Sequence, residues 1–424
     1  VLRFLLINQY YAPDVAPTGR VLGDVARTLS ARGHEVEVFT SRAAYAMQAG
    51  SESRPAALGA SRRYAASPPD PQAPNPAREE RDGVVVRRLP APRLGAGLAG
   101  RLSQQSVFLA ALTGALAGAR RADLVLSLTT PPYVGLVARA VANLRGAAHA
   151  HWVMDVYPDA LAAHGWLAPA GLPFRMLQSL ARLQVRGAAL VFGLGPVQAA
   201  RLAAYTGGEV PWVPLWSSGA AAAGGEAIAR VRAERGWTPG ELVLLYSGNF
   251  GRGHTLDEFL EAARRLGAAG PRWAFCGGGE RAAEVADLRR RHPEARLQSF
   301  PYVPADRLAE TLGAGDVHLV SVRAAWQGLI VPSKVQAAFS AGRPVLMVGG
   351  RDNEAAQWIE ASGGGWRVDE GDVDALLAAI EQAGDATERA RRGQRALACA
   401  REHFDRDRNC ARIAGLLEEA ASGR

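Results

Sequence analysis

Lysine is almost missing from this chain. Of 49 Lys and Arg residues among 424, only Lys334 is a lysine. Abundant Ala and Gly point to GC-rich codon bias as the reason, which makes the exception informative. A compact ammonium on a flexible stem cannot be copied by a planar guanidinium at a tight site. Cysteine is scarce as well. Cys276, Cys399 and Cys410 are the three present; their spacing suits neither a metal site nor a disulfide framework. Aromatics make up 7% against 48% hydrophobic residues, so the expected core is Ala, Val and Leu. No apolar run reaches the roughly 18 residues of a membrane-spanning helix. The nearest, 106–119, lies between Arg101 and Arg120. Basic, apolar and cleavage regions of a signal peptide are absent where Val1 leads into a strand, so the expected location is cytoplasmic. The first strand-loop-helix stretch, 4–33, lacks the dinucleotide fingerprint Gly-x-Gly-x-x-Gly, which argues against a nicotinamide dehydrogenase. The formal charge of +8 is carried by scattered arginines without aromatic-basic repeats. Nucleic acid is therefore not an expected partner, and a phosphorylated substrate or an anionic membrane surface remains.

What is present is a repeated α/β rhythm over a length that suits two domains. Residues 4–7 form a short apolar run, as a central parallel strand requires. A helix from about residue 20 puts Val21, Leu22, Val25 and Leu29 on one face and stops at Gly33, before a strand at 34–39. Gly19 lies near that helix start, where a phosphate or sugar can approach the backbone. Residues 42–82 are rich in proline without a period and read as a long mobile loop. Residues 101–121 read as a helix, either a core element or a surface helix dipping into an anionic membrane. Asp155 follows a strand at 148–153 and precedes a proline-punctuated loop, which suits a polar site residue as well as a turn or cap. His151 reads as a core histidine. The small-residue run 217–225 is the linker candidate.

The second half restarts the pattern with a strand at 242–246, followed by Ser-Gly-Asn-Phe-Gly-Arg-Gly-His at 247–254. Thr255 is expected to cap a helix with Asp257 and Glu258 in its first turn. Backbone N–H groups of Gly248, Asn249 and Gly251 can reach phosphate oxygens, and Arg252 can clamp them. Pro332 and Ser333 sit where a helix containing Lys334 would start. A cation in that first turn makes sense beside a bound anion. The Asp-x-Asp pairs at 372–374 and 405–407 read as helix starts rather than metal ligands, since neither follows a buried strand.

These motifs in combination resemble bacterial family 4 glycosyltransferases. SGNFGRGH, QGLIVPSKVQAAFSAGRPV and the following DNE carry the likeness in the second half. INQYYAPDVAPTGRVLGDVARTLSARGHEVEVFTSR and WVMDVYPDALAAHG carry it in the first. They are most similar to the branch that builds colanic acid and O-antigen. The resemblance implies a GT-B fold of two facing Rossmann-like domains with parallel sheets. The acceptor domain would span 1–216, with 401–424 packing back on it, and the nucleotide-sugar domain 217–400. It implies retaining, metal-independent transfer from a nucleotide diphosphate sugar, with uridine favoured, to a glycan or polyprenyl-linked acceptor at the inner membrane face. No cofactor is implied. Arg252 and Lys334 would neutralise the donor diphosphate, with Ser333 beside them. Val303 would lie by the base, Glu354 by the ribose or sugar, Gly19 by the diphosphate and Asp155 by the reacting sugar or acceptor. Many members carry two glutamates seven residues apart where this chain has Leu329 and Ala337, and Gln327 stands where the branch often has Glu. The alternatives are a non-catalytic nucleotide-sugar-binding partner subunit and a GT-B sugar-nucleotide epimerase.

Overall fold

The computed structural model describes residues 1–14, 16–42, 76–95, 97–169, 171–217 and 223–423. It divides into two compact units. Of the described residues, the first holds those up to Pro214 and those from Asp407 onward, and the second holds those from Leu215 to Arg406.

In the first unit the elements are β1 (Arg3–Ile7), α1 (Pro17–Ala31), β2 (Glu35–Ser41), β3 (Arg78–Arg81), β4 (Val84–Leu89), α2 (Gly97–Ala117) and β5 (Leu124–Ser127). They continue with α3 (Val134–Arg145), β6 (Ala148–Trp152), α4 (Asp159–Ala163), α5 (Leu172–Val185), β7 (Leu190–Phe192) and α6 (Pro196–Thr206). The sheet order is β3-β4-β2-β1-β5-β6-β7, parallel except for the edge strand β3. Apolar β1 sits at the centre, pairing Phe4 with Val36 on one side and with Leu124 on the other. Its neighbours on both faces are helices, so it is hydrophobic throughout rather than alternating. Val21, Leu22, Val25 and Leu29 of α1 are buried, as their spacing requires.

Two readings of this half change. The stretch 42–82 is not all loop, because Arg78–Arg81 pair antiparallel with β4; residues 43–75 lie outside the described residues. The helix read at 101–121 runs from Gly97 to Ala117, and Phe108, Leu112 and Leu116 are buried in one cluster with Leu5, Ile7 and Phe39. Phe108, Leu112 and Leu116 thus serve the core, while Leu102 is exposed.

The second unit contains α7 (Gly225–Glu234), β8 (Val243–Asn249), α8 (Asp257–Leu266), β9 (Arg272–Gly278), α9 (Ala282–Arg291), β10 (Leu297–Phe300) and α10 (Leu308–Ala314). It continues with β11 (Val317–Ser321), α11 (Lys334–Ser340), β12 (Val345–Val348), α12 (Glu354–Ser362), β13 (Gly365–Val368), α13 (Val373–Gly384) and α14 (Ala386–His403). All six strands are parallel, in the order β10-β9-β8-β11-β12-β13. The first strand is thus flanked by the second and the fourth, which is the doubly wound order with its switch point between β8 and β11. The first unit repeats this arrangement around β1 and β5 once the edge strand is set aside.

Of the linker candidate, residues 218–222 lie outside the described residues, and Gly225 already belongs to α7. The last helix, α15 (Arg406–Ala421), belongs with the first unit. There Asn409 donates to the Pro214 carbonyl at 3.0 Å, and Glu418 accepts from Arg32 at 2.9 Å and meets His34 at 2.9 Å. Asp372 does follow a strand, four residues after Val368, but its carboxylate accepts from the Ala375 N–H and caps α13.

Candidate active site

The switch point of the second sheet opens at the carboxyl ends of β8 and β11. Here β8 runs into Gly248 and Asn249, and β9 into Gly277 and Gly278. Gly248 has φ +119°, and a Cβ on it would sit 3.3 Å from Lys334 Cε. Gly277 has φ +140°, and a Cβ there would run into the Gly248 carbonyl. Both positions are closed to side chains, which brings Lys334 against bare backbone.

Lys334 opens α11, and its Nζ lies 3.0 Å from His254 Nε2 and 5.2 Å from the centre of the Tyr246 ring. His254 Nδ1 lies 2.5 Å from the Ser321 carbonyl at the end of β11. A carbonyl can only accept, so Nδ1 carries the hydrogen and Nε2 presents a lone pair to the amine. Burial and Lys334 push the His254 pKa down to about 3, which keeps the ring neutral in that tautomer. Part of the Lys334 stem remains accessible, but burial of the amine lowers its pKa to about 7. Tyr246, wholly buried, closes the floor with its ring face toward the ammonium. Helix α11 has only seven residues and Ser333 makes no side-chain cap, so the amine is held by His254 and not by helix-start geometry.

The remaining second-unit candidates fall around this centre in different ways. Asn249 is exposed beyond Gly248, and the Gly279 position is too close to its Oδ1 for any Cβ. Gly251 packs against the Asn249 side chain. Arg252 is exposed and its guanidinium rests on Glu280, also exposed. Ser333 is exposed. Val303 is half-buried, packed against the cluster of Val231, Trp237 and Cys276. Beside it Tyr302 donates to the Gly278 carbonyl at 3.1 Å, placing an aromatic ring over the glycine end of β9. Glu354 starts α12 as expected, and its side chain is buried. Leu329 is a buried apolar residue. Thr255 does not cap α8. Leu256 stands at that position, while the Thr255 hydroxyl donates to buried Glu258 at 2.5 Å and its carbonyl accepts from Ser321 Oγ at 2.5 Å.

In the first unit, Asp155 lies past the end of β6, and its N–H donates to Thr129 Oγ1 at 3.3 Å. Burial raises its pKa to about 6. A cavity of about 30 Å³ beside it is lined by Thr129, Tyr133, His151, Tyr157, Gln184 and Tyr205, room for about one water. His151 is the core histidine expected, with Ser127 Oγ at 2.8 Å and Gln184 Nε2 at 2.7 Å. Gly19 has a local explanation, since a Cβ would come within 2.9 Å of the Tyr10 carbonyl. Among the described residues, no three His, Cys, Asp or Glu side chains converge on a point that could hold a metal ion.

His254, Tyr246, Tyr302 and Glu280 were not singled out by sequence reasoning. Only His254 carried a signal, as the last residue of the glycine motif.

The family model of a glycosyl transferase 4-like domain matches residues 18–216, and that of the glycosyl transferases group 1 matches residues 241–385. The putative colanic acid biosynthesis glycosyl transferase WcaI of Escherichia coli (strain K12) is 24% identical over 393 residues, spanning 90% of this chain and 92% of that protein. The probable glycosyltransferase WbjE of Pseudomonas aeruginosa is 28% identical over 299 residues, 68% of this chain and 72% of its own. The solved structure of Anabaena HepE in complex with UDP-glucose superposes with a TM-score of 0.68 at 14% identity, covering 99% of this chain and 100% of that one. With both halves matched and both sheets doubly wound, the chain belongs to the GT-B glycosyltransferases, a glycosyl transferase 4-like domain followed by a group 1 domain.

Proposed function

We propose that the protein transfers a sugar from a nucleoside diphosphate sugar, most simply a UDP-sugar, to a glycan or polyprenyl-linked acceptor in cell-surface polysaccharide synthesis. Transfer keeps the anomeric configuration and needs no metal ion. The observation that carries this reading is the single lysine, its amine desolvated and aimed by neutral His254 at the glycine-lined mouth between β8 and β11. Such a mouth, at a switch point and free of side chains, suits a diphosphate. The names of the WcaI and HepE relatives support the pathway and the uridine donor respectively.

In this reading the bond from the sugar's anomeric carbon to the phosphate oxygen breaks, and its electron pair stays on that oxygen. Lys334 and the N–H groups of Gly248, Asn249 and Gly251 face the charge as it grows, which is where fixed donors lower a barrier most. Arg252 joins them once it leaves Glu280. The acceptor hydroxyl attacks on the face the phosphate leaves, and its proton passes to the departing oxygen. The first unit binds the acceptor, with Asp155 directed to it. Val303 and Tyr302 border the base.

The test is transfer from a panel of nucleoside diphosphate sugars to a polyprenyl diphosphate-linked sugar, with a chelator present and the product's anomeric configuration read by NMR. A retained configuration without added metal is expected. An inverted product, or activity that returns only with a divalent ion, overturns that part of the reading. Donor binding without any transfer favours the partner-subunit alternative, to which Gln327 and Ala337 point.

A further inference from the structure

Helix α5 carries an exposed apolar strip. At about 100° per residue, Leu172, Met176, Leu180 and Leu183 fall on one strip about 80° wide. They are 73%, 62%, 40% and 40% exposed. The opposite face, Ala181, Gln184 and Val185, is buried. Along one edge of the strip run Arg175 and Arg182, with Arg186 at the end of the helix. Arg139 of α3 reaches the same end, donating to the Arg186 carbonyl at 3.0 Å.

The charge pattern is unlike that of α8, α9 and α14. On α8, α9 and α14 paired arginines sit one turn from Glu261, Asp287 and Glu388 and form ion pairs with them. Helix α5 contains no acidic residue, and among the described residues Arg175, Arg182 and Arg186 form no ion pair. Trp166, six residues before the helix, is 57% exposed and stacks on His164.

Exposed leucines bordered by unpaired guanidinium groups complement one surface above others, the headgroup and acyl boundary of an anionic bilayer. A second copy of the chain packed symmetrically on this strip would bring like charges together along its edge. We propose that α5 docks the protein on an anionic lipid surface, with Leu172, Met176, Leu180 and Leu183 entering the acyl boundary and Arg175, Arg182 and Arg186 meeting lipid phosphates. The inference rests on the lipid-linked acceptor only for its purpose. Its chemistry stands on α5 alone.

Co-sedimentation with vesicles of equal parts phosphatidylcholine and phosphatidylglycerol, against pure phosphatidylcholine, tests it at low and high salt. The protein is expected on the anionic vesicles at low salt and released by high salt. Replacing Arg175, Arg182 and Arg186 together by Gln should weaken binding roughly a hundredfold, at about fivefold per cation. Replacing Leu172, Met176 and Leu183 together by Ser should weaken it at least about tenfold. Circular dichroism and UDP binding should stay unchanged in both triple variants, which separates this claim from the donor site. The proposal is overturned if anionic vesicles fail to bind at low salt, or if wild type and both variants bind alike. It is equally overturned if the wild type is a dimer that the Leu/Met variant splits, since a second copy would then be the occupant.

Discussion

An arginine at 334 would have to place its fork between His254 at 3.0 Å, the Tyr246 ring at 5.2 Å and the bare backbone of Gly248. Only the narrower ammonium fits that space while keeping its hydrogen bond to Nε2, so Lys334→Arg should be no more conservative than Lys334→Ala. The amine has a pKa of about 7 with the mouth empty, and a bound diphosphate would raise it. Binding therefore takes up a proton. Donor affinity is expected to be full below pH 7 and to fall as pH rises above it, by at most about tenfold per pH unit, until the raised pKa of the complex is reached. The profile should flatten in Lys334→Ala. His254 acts through Lys334, so His254→Asn should weaken donor binding roughly fivefold, about 1 kcal/mol, and shift the same pH profile. Glu280 holds Arg252 at the surface. An exposed pair of this kind is worth about 1 kcal/mol or less, so Glu280→Gln is expected to tighten donor binding by up to about fivefold.

At the scale of elements, the glycine ends of β8 and β9 depend on each other. A Cβ at Gly277 would meet the Gly248 carbonyl and sit at φ +140°. Gly277→Ala should therefore cost about 1–3 kcal/mol of strain and abolish the donor mouth, read by thermal unfolding and by UDP titration. Strands and helices were legible where periodicity was strong. The residues 4–7 and 345–348 are apolar runs, and they are central strands. The helix at 101–121 was found but its setting was not, because exposure depends on what packs against Phe108 and Leu112. Edge strand β3, RDG-flanked and charged, has no apolar signal to read. The Lys334 site was legible as a lone lysine beside a glycine motif. Its keeper was not, since His254 is set by Ser321, 67 residues later, through a contact that only the strand order of the sheet creates. The burial of Glu354 was not legible, because a helix-start carboxylate looks the same in sequence whether it faces solvent or the interior.

At the scale of the molecule, the chain uses one doubly wound pattern twice and then returns its last helix to the first unit. Asn409 anchors that return by donating to the Pro214 carbonyl. Asn409→Ala should leave it unsatisfied and cost about 1–3 kcal/mol, lowering the first unit's unfolding transition by roughly 3 °C per kcal/mol. Glu418 adds a pH dependence. Burial pushes its pKa up, but His34 and Arg32 outweigh that and hold it below the usual carboxylate range. Its contribution is present above the unfolded carboxylate value and is lost as pH falls through the lower folded one.

The central claim is that the lone lysine holds the donor diphosphate. Calorimetric titration of nucleoside diphosphate sugars into wild type and Lys334→Ala, in two buffers of different ionisation enthalpy above pH 7, tests it most directly. The account predicts that a UDP-sugar binds the wild type with proton uptake, and that the variant loses the uptake and about 1.5–3 kcal/mol of affinity. Equal binding by a folded variant, or no binding of any donor to the folded wild type, would contradict it.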